Sequence, residues 1–369
     1  GRRRDTWWAA TSSPSKLAMY FLLILGSEGF MDYRELAGRV IAGERVSRQD
    51  GEAILDSPDG DLLSLLDAAF KIRRRYFGLS VQIHRLMNSK SGMCPEDCSY
   101  CSQSAVSEAD IEKYSLLDEE HLIEGARLAV ATGARRYCMA ISGRGPSDAE
   151  IDHLSSAVRR IKSDLGISVC LSLGLMDESK ARRLKEAGVD RLNHNLNTSE
   201  RYYPEICTTH TYADRMDTLS AARETGMELC SGVIFGQGEH REDVLDVCEA
   251  LRELTPESIP VNFLNAISKT PLEGIPPLGA VQCLRLLCLM RFYNPRSEIR
   301  VAGGREVQLR EHQALALYPA NSLFVSGYLT TSGQSPEEAL RMIRELGFEV
   351  DATGHTDPQL EISVKPSMA

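Results

Sequence analysis

The sequence predicts an α/β protein, a (β/α)8 TIM-type barrel with an N-terminal helical leader. From about residue 79, short β-rich runs alternate with amphipathic helical runs, the pattern that builds parallel sheets covered by helices. The strand candidates number eight: "VQIHRLMN", "RRYCMAIS", "ISVCLSLG", "RLNHNLN", "ELCSGVIFG", "IPVNFLN", "EIRVAGG" and "SLFVSGYL". Eight strands with intervening helices fit a closed barrel better than a doubly wound open sheet.

Taken in order, the chain opens on "GRRRDTWWAATSSPSKLAMYFLLILGSEGF". Its apolar run spans about ten residues, whereas a membrane span needs about 20. The segment is basic and acid-poor, as targeting segments are, yet no small-residue cleavage site clearly follows the run. Residues 1–30 are therefore expected to be a non-native or mis-started extension, with the working fold beginning near Met31. Residues 31–78 read as helical, in three runs, "MDYRELAGRVIAGE", "SRQDGEAILDS" and "DGDLLSLLDAAFKIRRRYFG", with Asp and Ser placed as helix starts require. Residues 79–350 form the barrel, whose helices include "DEEHLIEGARLAVATG", "DAEIDHLSSAVRRIKSDLG", "DESKARRLKEAG" and "REDVLDVCEALREL". Residues 351–369 are a C-terminal tail. Beyond the βα alternation there is no repeat and no low-complexity linker.

Composition narrows the function classes. Of 369 residues, 43% are apolar and 25% charged, as in ordinary globular proteins. A formal net charge of −10 argues against a general nucleic-acid or anionic-membrane binder. Ten cysteines are too sparse for a disulfide scaffold at this length. Reduced thiols in a cytoplasmic setting are the expectation, and there clustered cysteines bind metal or do redox chemistry.

Three of the ten are clustered. "SKSGMCPEDCSYCSQSA" places Cys94, Cys98 and Cys101 in a C-x3-C-x2-C pattern directly after the first strand candidate. In a barrel that is the first βα loop, on the face where TIM-barrel active sites lie. Structural zinc takes four protein ligands and disulfides take even counts, so three thiols suit a centre with one position kept for a non-protein ligand. Thiolates favour iron-sulfur clusters, zinc or copper(I). The bland alternative is a zinc knuckle completed from elsewhere, by His84 or His121.

The triad, with Tyr100 just before its last cysteine, resembles the signature of the radical S-adenosylmethionine (SAM) superfamily. That resemblance implies a [4Fe-4S] cluster on Cys94, Cys98 and Cys101. Its fourth iron chelates SAM, and one-electron reduction yields a 5'-deoxyadenosyl radical. "GVIFGQGE" agrees: Gly232, Ile234, Gly236 and Glu239 resemble the superfamily's G-x-I-x-G-x-x-E motif, which packs around the adenine. Alone, such a glycine-rich strand end marks only a tight turn.

Cys207, Cys248, Cys283 and Cys288 read as small buried hydrophobes in a loop or on helix faces. Cys138, Cys170 and Cys230 each lie mid-strand, in "RYCMA", "SVCLS" and "LCSGV", where they can point inward and converge. Arg300 stands in the seventh strand candidate, where a bland barrel carries Val or Ile. A buried arginine must reach an acid, an anion or a ligand. From about Leu86 to Val350 these features, with "CPEDCSYC", "NHNLNTS", "PVNFL", "TPLEG", "GGRE" and "YLTT", resemble the biotin synthase family. The resemblance implies an auxiliary [2Fe-2S] cluster on Cys138, Cys170, Cys230 and Arg300, and conversion of dethiobiotin to biotin by sulfur insertion at two unactivated carbons. It places Asn193 and Asn195 on dethiobiotin and SAM, Asn262 on the ureido ring, and Thr330 with Thr331 on the valerate carboxylate. Asn197 stands where some members carry an Asp that bonds the SAM ribose. A flavodoxin- or ferredoxin-type electron donor, the iron-sulfur assembly machinery and a homodimer are further implied. The rival readings are another radical SAM enzyme, such as a maturase or methylornithine synthase relative, and a non-catalytic zinc or iron-sulfur protein.

Overall fold

The computed structural model describes residues 31–331 and 333–351. The expected extension at 1–30 lies outside them, as does the tail beyond Asp351.

Three helices lead: α1 (Tyr33–Ile41), α2 (Arg48–Leu55) and α3 (Leu62–Phe77). The Asp32 carboxylate caps α1 by accepting from the Arg34 and Glu35 amides, and Ser47 with Asp50 forms a capping box on α2. The barrel follows as β1 (Ser80–Lys90), α4 (Glu119–Ala131), β2 (Arg136–Ile141), α5 (Asp148–Leu165), β3 (Ser168–Ser172), α6 (Glu178–Glu186) and β4 (Arg191–Asn193). Next come α7 (Tyr203–Ile206), α8 (Tyr212–Glu224), β5 (Glu228–Cys230), β6 (Val233–Phe235), α9 (Arg241–Leu254) and β7 (Ser258–Phe263). The chain then runs through α10 (Ala280–Tyr293), β8 (Glu298–Val301), α11 (Arg305–Leu309), β9 (Ser322–Val325), α12 (Pro336–Glu345) and β10 (Glu349–Val350).

All strand pairings are parallel, and β9 returns to β1 through Gln82↔Ser322 to Arg85↔Val325, which closes the barrel. The predicted run "ELCSGVIFG" is one stave made of two strands, β5 and β6. It breaks at Ser231–Gly232, where the Gly232 amide turns to Asn195 Oδ1 at 3.1 Å and a Cβ would run into the Pro260 carbonyl oxygen. With that stave counted once, the eight predicted strands are the eight staves. β10 adds a short parallel pair at the start of β1, through Ser80↔Glu349.

The period of two along each strand sorts the side chains. Tyr137, Met139, Val169, Leu171, Ile299 and Val301 point outward and join the hydrophobic layer under the helices. Burying each such side chain contributes about 1.5–3 kcal/mol. The residues between them point inward, so Cys138 and Cys170, paired across β2 and β3, form a separate small cluster with Cys230. Among the described residues, no helix is long and apolar enough to cross a membrane.

Candidate functional site

A cavity opens at the C-terminal ends of the strands, and its lining includes Cys94, Cys98, Cys101, Cys138, Cys170, Cys230 and Arg300. The two thiol groups predicted from sequence thus share one chamber.

The upper group sits in the loop after β1. Gly92, at φ 72, turns the chain, and its amide donates to Gln103 Oε1 at 3.0 Å while Ser142 Oγ donates to its carbonyl at 2.6 Å. The Ser99 amide bonds the Ile206 carbonyl at 2.9 Å, and Asp97 Oδ1 accepts from the Thr208 amide at 2.9 Å. These bonds clamp the triad loop to the loop after α7. Burial pushes the Cys94 thiol up and the Cys101 thiol to about 11, and a hydrogen bond with Cys207 pushes Cys98 far up. Buried thiolates therefore need a cationic centre, and three of them around one chamber fit a thiolate-held cluster.

The lower group lies mid-strand. A hydrogen bond from Cys170 holds the Cys138 thiol below its usual range, and its own bond to Cys138 pushes Cys170 to about 12. Arg300 is 1% exposed. Its Nη2 donates to Ser258 Oγ at 2.8 Å and to Glu298 Oε1 at 2.5 Å, its Nε to Ser322 Oγ at 3.2 Å, and its Nη1 points to Cys230 Sγ at 3.8 Å. Its guanidinium lies 4.9 Å from the Phe324 ring centroid. Glu298 is the acid the buried arginine requires. It also meets Arg191 Nη1 at 2.8 Å and His84 Nε2 at 3.1 Å. Burial lowers His84 to about 3, so it stays neutral, while Arg300, His84 and Arg191 hold Glu298 well below the usual carboxylate range against its desolvation. Arg136 and Arg191 share Glu228 at 3.1 and 2.8 Å. Three arginines against two glutamates leave one net positive charge beneath three thiols, a floor suited to an anionic thiolate cluster. Three converging thiols and a cation fit an iron-sulfur group.

The remaining predicted residues divide by location. Asn193, Asn195, Asn197, Tyr100, Ile234, Asn262, Thr330 and Thr331 line the cavity. Asn193 Nδ2 donates to Asn195 Oδ1 at 3.1 Å, and Asn197 Nδ2 to Tyr100 Oη at 2.6 Å. Asn262 is held by backbone at both ends of its amide, donating to the Val233 carbonyl at 2.9 Å and accepting from the Gly303 amide at 2.8 Å. Thr330 Oγ1 lies 2.9 Å from Ser102 Oγ, and Thr331 Oγ1 donates to the Tyr328 carbonyl at 2.8 Å. Gly232, Gly236 and Glu239 stand behind the wall. The Glu239 carboxylate accepts from the Gly236 and Gln237 amides, each at 2.7 Å, and so shapes the turn that presents Ile234.

Two expectations need correcting. His84 is buried in the floor and His121 is exposed on α4, paired with Asp118, so neither completes the triad. Cys207 is no inert hydrophobe: its Sγ lies 3.8 Å from Cys98 Sγ and 3.2 Å from His210 Nδ1. Glu298 was missed, although its place two residues before Arg300 on one strand puts both on the same face. Arg191 was missed for lack of any local signal, since its partners Glu228 and Glu298 come from other strands.

Residues 88–251 match the Radical SAM superfamily, and residues 260–349 match the Biotin and Thiamin Synthesis associated domain. The biotin synthase of Bacillus velezensis is 51% identical over 320 residues, covering 87% of this chain and 94% of that protein. That of Bacillus subtilis is 50% identical, covering 87% and 96%, and that of Rhodopirellula baltica 49%, covering 86% and 89%. Among solved structures, methylornithine synthase superposes with a TM-score of 0.76 at 20% identity, covering 85% of this chain and 97% of that one. The FeFe-hydrogenase maturase HydG from Carboxydothermus hydrogenoformans superposes with a TM-score of 0.73 at 17% identity, covering 86% and 79%. At those identities the structural likeness speaks for the fold alone.

Proposed function

From a chain that belongs to the biotin synthase family of radical SAM enzymes, we infer a division of labour between the two thiol groups of its cavity. The chain is a sulfur-inserting enzyme that makes biotin from dethiobiotin with SAM as co-substrate. When bound, a [4Fe-4S] cluster on Cys94, Cys98 and Cys101 supplies one-electron cleavage of SAM, and a [2Fe-2S] cluster on Cys138, Cys170, Cys230 and Arg300 supplies sulfur.

The chain's own residues bind, orient and exclude. Asn193 and Asn195, which line the cavity, take dethiobiotin and SAM, and Asn262 takes the ureido ring of dethiobiotin. Thr330 and Thr331, at the rim, take its carboxylate. Tyr100, Asn197 and Ile234 take the adenosine part of SAM, with Gly232, Gly236 and Glu239 fixing the turn behind Ile234. Asn262 acts with its amide already held by backbone, so it offers a fixed edge rather than a mobile one. The outward apolar layer and the closed barrel wall keep bulk water from the reacting carbons, and held geometry replaces any acid-base pair. Glu298, Ser258 and Ser322 hold Arg300 by its Nε and Nη2 side, which leaves Nη1 toward the thiols. A flavodoxin- or ferredoxin-type reductant, assembly by iron-sulfur machinery, a homodimer and a cytoplasmic setting belong to the same reading.

The observation that carries this reading is the pair of thiol groups in one chamber, one in the mouth loop and one mid-strand over a cationic floor. Anaerobic reconstitution followed by incubation with dethiobiotin, SAM and reductant tests it. Brown protein with more than four irons per chain, and biotin detected by mass spectrometry, are expected. Colourless zinc protein making neither 5'-deoxyadenosine nor biotin would refute it.

A further inference from the structure

We infer that the cluster-free chain carries a single-ion site for a soft divalent cation such as Zn2+, formed by Cys98, Cys207 and His210. Its occupation is exclusive with the cubane cluster, because both need Cys98. The site stands on geometry alone; only the competition rests on reading Cys98 as a cluster ligand.

Among the described residues, this is the one group of three or more His, Cys, Asp or Glu side chains whose ligand atoms all lie within 4.8 Å of one another, and all three residues are buried. The cysteines of the triad do not meet that test as a set, which is expected of thiolates that each bind a different iron. Zinc-sulfur bonds of about 2.3 Å at the tetrahedral angle put two sulfurs about 3.8 Å apart. Cys98 Sγ and Cys207 Sγ are 3.8 Å apart. The same geometry puts a ligating nitrogen about 3.6 Å from sulfur. His210 Nδ1 and Nε2 lie 3.2 and 3.9 Å from Cys207 Sγ, so a small ring adjustment suffices.

The surroundings complete the site. Asp97 Oδ1 lies 3.3 Å from Cys207 Sγ, and Glu96 Oε2 contacts His210 Nδ1, so carboxylates stand beside two of the ligand atoms and accept the protons that ligation releases. In the metal-free ring Arg215 Nη2 donates to His210 Nε2 at 2.9 Å, so ligation through Nδ1 moves the ring proton to Nε2, where Tyr203 Oη at 2.8 Å accepts it as Arg215 swings aside. Arg144 pairs with Glu96 at 3.1 Å and Arg215 lies against His210 at 2.9 Å. Two arginines offset two carboxylates, so two thiolates and one divalent ion leave the site near neutrality. The two loops that bring the ligands together are joined by the bond from the Ser99 amide to the Ile206 carbonyl at 2.9 Å.

The test uses the full-length chain, freed of metal and kept anaerobic with reductant, in a Cys138→Ala/Cys170→Ala/Cys230→Ala background that removes the mid-strand thiol group. Titration with Co2+ is expected to give tetrahedral visible bands and sulfur-to-metal charge transfer at one ion per chain, reversed by Zn2+. Cys207→Ser and His210→Gln should each weaken binding at least about 10-fold, whereas Cys94→Ser should leave it unchanged. Circular dichroism and thermal unfolding identify any variant that fails to fold, and either of the first two then suffices. Cobalt binding that survives both, or that is lost with Cys94→Ser, overturns the site. In the wild-type chain, pre-loading with Zn2+ should slow cluster reconstitution, and Cys207→Ser should relieve the slowing. Equal reconstitution with and without Zn2+ overturns the competition. A wild-type chain that reconstitutes yet makes no 5'-deoxyadenosine instead sinks the functional reading and leaves the cobalt result standing.

Discussion

Glu298 Oε1 accepts two hydrogen bonds from Arg300, from Nε at 3.1 Å and from Nη2 at 2.5 Å, and the remaining Nη1 faces Cys230 Sγ at 3.8 Å. A carboxylate on the far edge of the guanidinium keeps it charged and aims one nitrogen at the thiols. Arg300 in turn holds Glu298 ionised at a depth where a lone carboxylate would be neutral.

Glu298→Ala should release that aim. The expected result is slower biotin formation and an altered visible spectrum of the auxiliary cluster, no more severe than in Arg300→Met, in a chain that still cleaves SAM. Stability should fall by about 3–5 kcal/mol, because buried arginines lose their counter-charge. A Glu298→Ala protein with the wild-type spectrum, rate and stability would show that Ser258 and Ser322 hold Arg300 unaided.

The two thiol groups should separate cleanly in product analysis. Cys98→Ala is expected to stop 5'-deoxyadenosine formation altogether. Cys138→Ala should still cleave SAM but make no biotin. Arg300→Met should keep the mouth cluster and slow biotin formation without abolishing it. Biotin made at the wild-type rate by Cys138→Ala would defeat the sulfur-donor assignment.

Glu239 gives a pH signature. Burial raises its carboxyl to about 7 despite three backbone amides, those of Gly236, Gln237 and Glu239 itself, that favour the charge. Its folded value stands above the unfolded one, so its contribution is fully present below about pH 4.5 and is lost as pH rises through about 7. The shift corresponds to about 3 kcal/mol at most. Thermal midpoints measured between about pH 5.5 and pH 8 should fall with rising pH, and Glu239→Gln should flatten that fall. An equally steep profile in the variant would assign the loss elsewhere.

Gly232→Ala should damage the chamber. Its Cβ would meet the Pro260 carbonyl oxygen, a backbone atom that cannot swing aside. Displacing it moves β7 or breaks the bond from the Gly232 amide to Asn195. A cost of about 1–3 kcal/mol is expected, with a raised KM for SAM. Unchanged denaturant midpoint and KM would mean that β6 tolerates the shift.

Much of this was legible along the chain because it is local. The βα alternation depends on hydrophobic period, and each helix start on a cap within a few residues, so "REDVLDVCEALREL" and α9 coincide at Arg241–Leu254. The triad lies within eight residues of one loop. The three strand cysteines were found because a period of two fixes which face a strand residue takes.

What sequence determined, then, is the barrel, its inward faces and the identity of the thiols. Tertiary structure decided which charges meet and which thiols touch. Glu298 joins Arg191, His84 and Arg300 only because parallel register stacks β4, β8 and β1 around a closed floor, and no local pattern encodes that register. Cys207 looked inert for the same reason. Its partner Cys98 is 109 residues away, and only the clamped loops bring the two sulfurs together. Local propensity can be read from neighbours in the chain, whereas electrostatic and ligand geometry depend on long-range packing, which the chain order alone does not display.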